Sequence, residues 1–259
     1  MLSDTLYALP LPEQVGQFFY IGLPGTELDA QTRELIEEVR PGGVIIFGRN
    51  VASPQQLRDL LDGVRQLVPI EPLVGIDQEG GLVDRLRKIF TPMPAARSIR
   101  EHGDLAASRT LGRVSGEVLR MLGFNMNFAP VMSIMTDERD LLSNGLYSRS
   151  FGRSPGEVLG YTTVYLRGLQ ETGLIGCLKH FPGIGAGEVD SLGSLAHRRG
   201  GPRPAALSLK RRALDDGKPF FAISSATGDG VRELVNAIAA KLDELSAERN
   251  RTDTVELAL

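Results

Sequence analysis

Apolar residues recur through the first 180 positions in runs of five to seven, each stopped by Gly, Pro or a charge: Gln17 to Leu23, Gly43 to Gly48, Leu73 to Asp77, Asn125 to Pro130 and Ile175 to Phe181. Short β-rich runs bounded in this way predict strands. Between them the period changes to that of a helix. Pro54 stands at a first helical position after a capping Ser53, and Leu57, Leu60, Leu61, Val64 and Leu67 form one apolar stripe. The same pattern predicts helices over Ala30 to Val39, Leu105 to Leu122 and Ser154 to Thr172, the last with Glu157 at capping-box distance from Ser154. Five β-then-α units in series predict a parallel sheet, because parallel neighbours are joined through crossovers. Chemistry is then expected at the carboxyl ends of the strands.

The texture changes after His197. Residues 198–212 hold Arg198, Arg199, Arg203, Lys210, Arg211 and Arg212 with no acid, and two prolines, which reads as a basic linker. A strand is expected at Pro219 to Ser225, a Gly turn at Thr227 to Gly230, and an amphipathic helix from Val231 to about Ser246, followed by a frayed tail. The expected organisation is therefore a domain over 1–199, a basic linker over 200–217 and a strand-helix tail over 218–259.

With 259 residues the chain has the length of one (β/α)8 barrel, roughly 250 residues. Its 29 basic and 32 acidic side chains give a net charge of -3, so no overall field favours nucleic acid or an anionic membrane. The single Cys177 excludes an internal disulfide and a cysteine-built zinc site, and with no basic leader and no long apolar run the expected setting is cytoplasmic. Glycine, at 30 residues, exceeds the usual 7 % or so, and Trp is absent. Glycine-rich turns and no Trp platform favour a small polar ligand over a long polymer. No metal and no cofactor is expected.

Three polar clusters fall at strand ends. Asp77-Gln78-Glu79-Gly80-Gly81, with Arg85 following, places a carboxylate where backbone can approach a ligand. Ser148-Arg149-Ser150-Phe151 sets a lone Arg among small and aromatic residues, a pattern that on its own also fits a structural Arg. The third runs from Lys179 and His180 through Gly183, Gly185 and Gly187 to Glu188 and Asp190. Lys and His at the end of an apolar strand call for a polar pocket, and an acid on a glycine-rich loop suits proton transfer. A dinucleotide fingerprint fits these glycines poorly, because Pro182 intrudes and no acid follows about 20 residues on.

The segments GGVIIFGRN (42–50), GIDQEGGLVDRL (75–86), PMPAARSI (92–99), GFNMNFAPV (123–131), SRSFG (148–152) and KHFPGIGAGEVDS (179–191) together resemble glycoside hydrolase family 3, and within it the bacterial β-N-acetylhexosaminidases. The resemblance covers roughly residues 12–199. It implies a (β/α)8-type (TIM) barrel, expected here to be incomplete and to carry a C-terminal strand-turn-helix appendage. It also implies retaining hydrolysis of terminal β-linked N-acetylglucosamine, with Asp77, Arg85, Arg149, Lys179 and His180 at sugar-binding positions and Asp190 in the catalytic loop. The partner is then a small sugar, terminal N-acetylglucosamine or a muropeptide-type glycan.

Departures from the family pattern accompany the match. Retaining hydrolysis needs a carboxylate nucleophile and a group that moves a proton. The resembled enzymes write the second as Asp-Ser-His, whereas this chain has Asp190-Ser191-Leu192. Leu82 stands where the family usually has Arg, and Ser133 where it has Asp. The family's nucleophile lies in a Ser-Asp-Asp-like turn after a later strand. The acidic pair that follows residue 199, Asp215-Asp216, comes instead after RRAL and reads as a solvated helix end. These departures lead to an expectation of a truncated, catalytically impaired hydrolase, with a non-catalytic sugar-binding or scaffold module as the alternative. Uncovered barrel edges are expected to favour self-association. Residues 218–245 resemble the end of an Obg-type GTPase domain, but no GxxxxGK[ST] phosphate loop occurs in the chain, which disfavours a nucleotide-binding reading.

Overall fold

The computed structural model describes residues 8–102, 104–135, 146–180, 211–221 and 230–256. Two compact units divide the chain, one of Phe19–His197 and one of Met1–Phe18 with Arg198–Leu259.

Within Phe19–His197 lie five strands, β1 (Tyr20–Gly22), β2 (Gly43–Ile46), β3 (Leu73–Ile76), β4 (Met126–Asn127) and β5 (Ile175–Gly176). All neighbours are parallel, and the spatial order β1-β2-β3-β4-β5 repeats the sequence order. That order separates the fold from a doubly wound sheet, in which the order reverses at a switch point. It is the arrangement of a TIM-type barrel, present among the described residues as an open sheet with β1 and β5 at its edges. The five strands expected up to residue 181 are each found in place but shorter. Lys179, expected inside the fifth strand, joins the sheet through a single parallel bridge to Val131.

Strand alternation sorts the two faces. Val44, Ile46, Val74 and Ile76 are wholly buried beneath the helices, against Leu57, Leu61 and Val64 of α3 (Pro54–Gln66) and Leu119 of α5 (Leu105–Leu122). Helix α1 (Leu11–Gly16) belongs to the other unit, and α2 (Ala30–Val39) and α4 (Ala96–Glu101) complete the helices before α5. On the opposite face Gly43 and Gly75 leave room for the Tyr20 ring. A Cβ would stand 2.2 Å from that ring at Gly43 and 2.6 Å from its hydroxyl at Gly75. Tyr20 meets Phe128 edge-on at 5.4 Å, and burial pushes its phenol well above its ordinary range.

The helix starts follow their sequence signals. Ser53 Oγ accepts from the Gln56 amide at 3.1 Å, and the Gln56 side chain accepts from the Ser53 amide. Helix α6 (Pro155–Gln170) is capped by Ser154, which accepts from the Glu157 amide at 3.3 Å. The Glu157 carboxylate returns to the Arg153 amide instead of to Ser154. Helices α5 and α6 cross backbone to backbone, since a Cβ on Gly112 would stand 2.1 Å from the Tyr165 carbonyl and one on Gly168 2.1 Å from that of Arg109. This crossing seats Tyr165 and Leu169 in the core.

In the other unit, residues 211–215 form a short helical turn and α7 (Val231–Glu256) is a long helix whose Leu242 is buried. Part of the expected basic linker is thus helical, with Arg212 paired to Asp216 at 2.9 Å, and both Asp215 and Asp216 are exposed. The helix expected to end near Ser246 continues through the expected frayed tail to Glu256, because no Gly or Pro interrupts Val231–Glu256. Residues 218–221 carry no strand, and the remainder of the expected strand and its Gly turn fall in 222–229, outside the described residues. No helix among the described residues is long and apolar enough to cross a membrane.

Candidate functional site

The site begins where β3 ends. Gln78, one residue beyond Asp77, is buried and held from three sides. Its amide donates to Asn127 Oδ1 at 3.0 Å and its carbonyl accepts from Asn127 Nδ2 at 3.0 Å, which clasps the ends of β3 and β4. Its side-chain oxygen accepts from the amides of Arg85 at 2.9 Å and Leu86 at 3.3 Å. Asp84 braces the same loop by accepting from Leu86 N at 3.0 Å and Met93 N at 2.8 Å. The chain can double back here because Gly80 has φ of 89° and lies against the Pro94 carbonyl, 2.2 Å from where a Cβ would stand. Folding the loop back brings Arg85 to Asp77, Nη2 to Oδ2 at 3.9 Å.

Lys179 arrives from β5. Its carbonyl accepts from the Met132 amide at 2.6 Å, and its ammonium reaches Asp77 Oδ1 at 2.6 Å and Glu79 Oε1 at 2.5 Å. Arg149 closes the short 3-10 turn Leu146–Arg149 and grips Glu79 at two points, Nε to Oε2 at 2.8 Å and Nη2 to Oε1 at 2.9 Å. Both side chains of this pair are about 95 % out of solvent, with exposures of 4 % and 5 %. Paired, parallel guanidinium–carboxylate bonds are among the strongest polar contacts a protein makes. Next to Arg149, Ser150 Oγ donates to the Ser133 carbonyl at 2.7 Å, so Ser133 is buried and engaged.

His180 is half-buried, and its Nδ1 has no hydrogen-bond partner among the described residues. Burial pushes its pKa below the ordinary 6.5, and the positive charges of Lys179 and Arg149 push the same way against Glu79 and Asp77. The ring is therefore held neutral, with one nitrogen able to donate and one to accept. Beneath the site, burial raises the Tyr165 phenol to about 12.

Asp77, Arg85, Arg149, Lys179 and His180 thus come together at the carboxyl end of the sheet. Asp190, with Ser191, Leu192 and His197, lies outside the described residues. Leu82 is 58 % exposed at the tip of the β3 loop. The residue not singled out from the sequence is Glu79, which joins Arg149 to Lys179. Its signal was its spacing: in an extended segment a residue two positions past Asp77 projects to the same side. Arg149 and Lys179 each also needed an anionic partner.

Residues 10–203 match the glycosyl hydrolase family 3 N terminal domain. The chain belongs to glycosyl hydrolase family 3. Similar family members include a beta-hexosaminidase of Methylococcus capsulatus, 37 % identical over 65 % of this chain and 50 % of the relative. Another, from Xanthomonas campestris, is 32 % identical over 82 % of this chain and 62 % of the relative. Among solved structures, a family 3 beta-N-acetylglucosaminidase of a Paenibacillus species superposes with a TM-score of 0.63 at 36 % identity, covering 69 % of this chain and 34 % of that one. NagZ of Neisseria gonorrhoeae in complex with N-trifluoroacetyl-D-glucosamine does so with 0.61 at 27 % identity, covering 66 % and 51 %. The family 3 chain described here spans about half the length of the curated relatives it matches.

The geometry gives two expected outcomes. Glu79→Ala leaves the Arg149 cation buried without its two-point partner and should lower the unfolding free energy by about 3–5 kcal/mol in urea denaturation. A loss below about 1 kcal/mol would show that water replaces the carboxylate. For His180 the folded value lies below 6.5, so the unfolded state binds the proton more tightly. Its contribution to stability is present above pH 6.5 and is lost as the pH falls from there through the lower folded value. Denaturation at about pH 7.5 and about pH 5 should show stability falling, with a shallower fall in His180→Gln; an identical fall in both proteins would exclude His180 as the source.

Proposed function

We propose that this chain is the sugar-binding part of a β-N-acetylhexosaminidase, taking terminal β-linked N-acetylglucosamine at Asp77, Arg85, Arg149, Lys179 and His180. The observation that carries this reading is the division of labour between the two carboxylates. Glu79 is buried and spent on Arg149, while Asp77 stays 19 % exposed, held by Lys179. A carboxylate so placed accepts from two adjacent sugar hydroxyls, and the neighbouring Arg, Lys and His donate to ring and acetamido oxygens. The names of the relatives and the sugar analogue bound to NagZ support the same ligand class.

Hydrolysis would proceed with retention, with Asp190 on the proton-transfer loop. Leu192, where the resembled enzymes carry His, cannot move a proton, so turnover is expected to be slight; this residue favours a second reading, a sugar-binding or scaffold module without chemistry. A cytoplasmic setting accompanies the single cysteine. The domain over 1–199, the basic linker over 200–217 and the strand-helix tail over 218–259, with its GTPase-like sequence, are part of the same proposal. So is self-association through the sheet edge at β5, where Ile175 and Leu178 are 48 % and 50 % exposed.

Calorimetry with N-acetylglucosamine should give a heat of binding that Asp77→Asn weakens by roughly tenfold or more, since hydrogen bonds to a charged group are lost. No binding to the wild-type chain would overturn the reading. An aryl β-N-acetylglucosaminide should release chromophore slowly, and brisk release abolished in Asp190→Ala would overturn the impaired-catalysis part. In sedimentation velocity the chain should associate with rising concentration, less so in Ile175→Lys; a monomer at all concentrations would refute the edge contact.

A further inference from the structure

A cavity of about 10 Å³ adjoins the buried pair, bordered by Glu79, Arg149 and Tyr165 and walled by Ala96, Val131 and Phe151. Tyr165 comes from α6 and is 1 % exposed, and its hydroxyl has no hydrogen-bond partner among the described residues. A phenol buried this deeply normally finds a partner, because a donor taken out of water without one is costly. Burial holds the phenol protonated, Ser115 works against it, and the Glu79 charge adds to it. The hydroxyl is therefore a donor that feels the field of that carboxylate.

The carboxylate that borders the cavity has one place left. An ionised carboxylate offers about four acceptor sites, two on each oxygen. Glu79 Oε1 takes Arg149 Nη2 at 2.9 Å and Lys179 Nζ at 2.5 Å, while Oε2 takes Arg149 Nε at 2.8 Å and, among the described residues, nothing more. The second site on Oε2 and the Tyr165 O–H are thus an acceptor and a donor beside one space. Neighbouring groups are occupied elsewhere. Asn127 spends Oδ1 on the Gln78 amide and Nδ2 on the Gln78 carbonyl, and Ser115 Oγ donates to Met93 Sδ at 3.0 Å.

Volume and charge decide what such a space can hold. A water needs roughly 10–15 Å³ and two to four polar partners, so the cavity admits one and not two. A cation would meet the buried Arg149 guanidinium and an anion the buried Glu79 carboxylate, which leaves a neutral molecule. Purely apolar cavities stay dry, whereas a carboxylate, a guanidinium and a phenol border this one. We propose that the cavity is a built site for one water molecule, which accepts from Tyr165 Oη and donates to Glu79 Oε2. Tyr165 is thereby a positioning residue: through the water, α6 holds the carboxylate that Arg149 and Lys179 grip. That role does not depend on what binds at Asp77.

Oxygen-17 relaxation dispersion of the solvent, which counts long-lived internal waters, tests the site on the full chain. Y165F should hold one such water fewer than the wild-type chain, because losing the hydroxyl leaves the water a single partner, below the two it needs. S115A should hold the same number as the wild type. A crystal structure of the wild-type chain should show one solvent peak about 2.5–3.0 Å from both Tyr165 Oη and Glu79 Oε2, and it decides the question even where Y165F fails to fold. Equal counts in the wild type and Y165F overturn the proposal, as does a loss in S115A equal to that in Y165F. So does a wild-type cavity without a solvent peak, its Tyr165 hydroxyl bonded directly to Ser115 or Glu79.

Discussion

The buried pair of Glu79 and Arg149 is the contact on which the rest of the site depends. Removing a carboxylate and a guanidinium from water costs several kcal/mol for each ion, and only close, two-point geometry offsets it. The pair therefore tolerates little displacement of the three segments that supply it, the β3 loop, the turn before Arg149 and, through Lys179, the end of β5. Local features serve that requirement. The glycine turn at Gly80 brings the loop against Pro94, Asn127 clasps Gln78, and the α5–α6 crossing seats Tyr165 beneath.

Charge order at the site follows from the same constraint. Lys179 sits between the Asp77 and Glu79 carboxylates and answers part of the charge of each. The positive charges around His180 work with burial to keep the imidazole neutral. The arrangement is a set of fixed donors around one accessible acceptor, Asp77.

Residues 10–203 match the family 3 N terminal domain, and the chain spans about half the length of its curated relatives. Leu192 is where the resemblance and the chemistry part, because the residue pattern KHFPGIGAGEVDS persists up to it while the His that would move the proton does not.

Much of the architecture was legible in the sequence. The bounds of α2 and α5 coincide with the periodic segments Ala30 to Val39 and Leu105 to Leu122, because capping and a 3.6-residue apolar stripe are local properties. The order of the strands followed from their alternation with helices. Their ends did not, since a strand stops where its neighbour stops offering hydrogen bonds: β4 and β5 hold two residues each where six and seven were expected. Helix α7 ran past its expected end because an absence of breakers outweighs a fading apolar stripe. At the site, residue types at strand ends marked Asp77, Arg85, Lys179 and His180 in advance. Which charge meets which was decided only in three dimensions: Lys179 finds Asp77 across 102 positions, and Arg149 finds Glu79 across 70. The sequence by itself determined the periodicity, the parallel β/α order and the polar character of the strand ends, all properties of neighbours along the chain. The tertiary structure alone decided that Glu79 is buried and Asp77 only half-buried, because desolvation depends on what packs above a side chain and not on what precedes it.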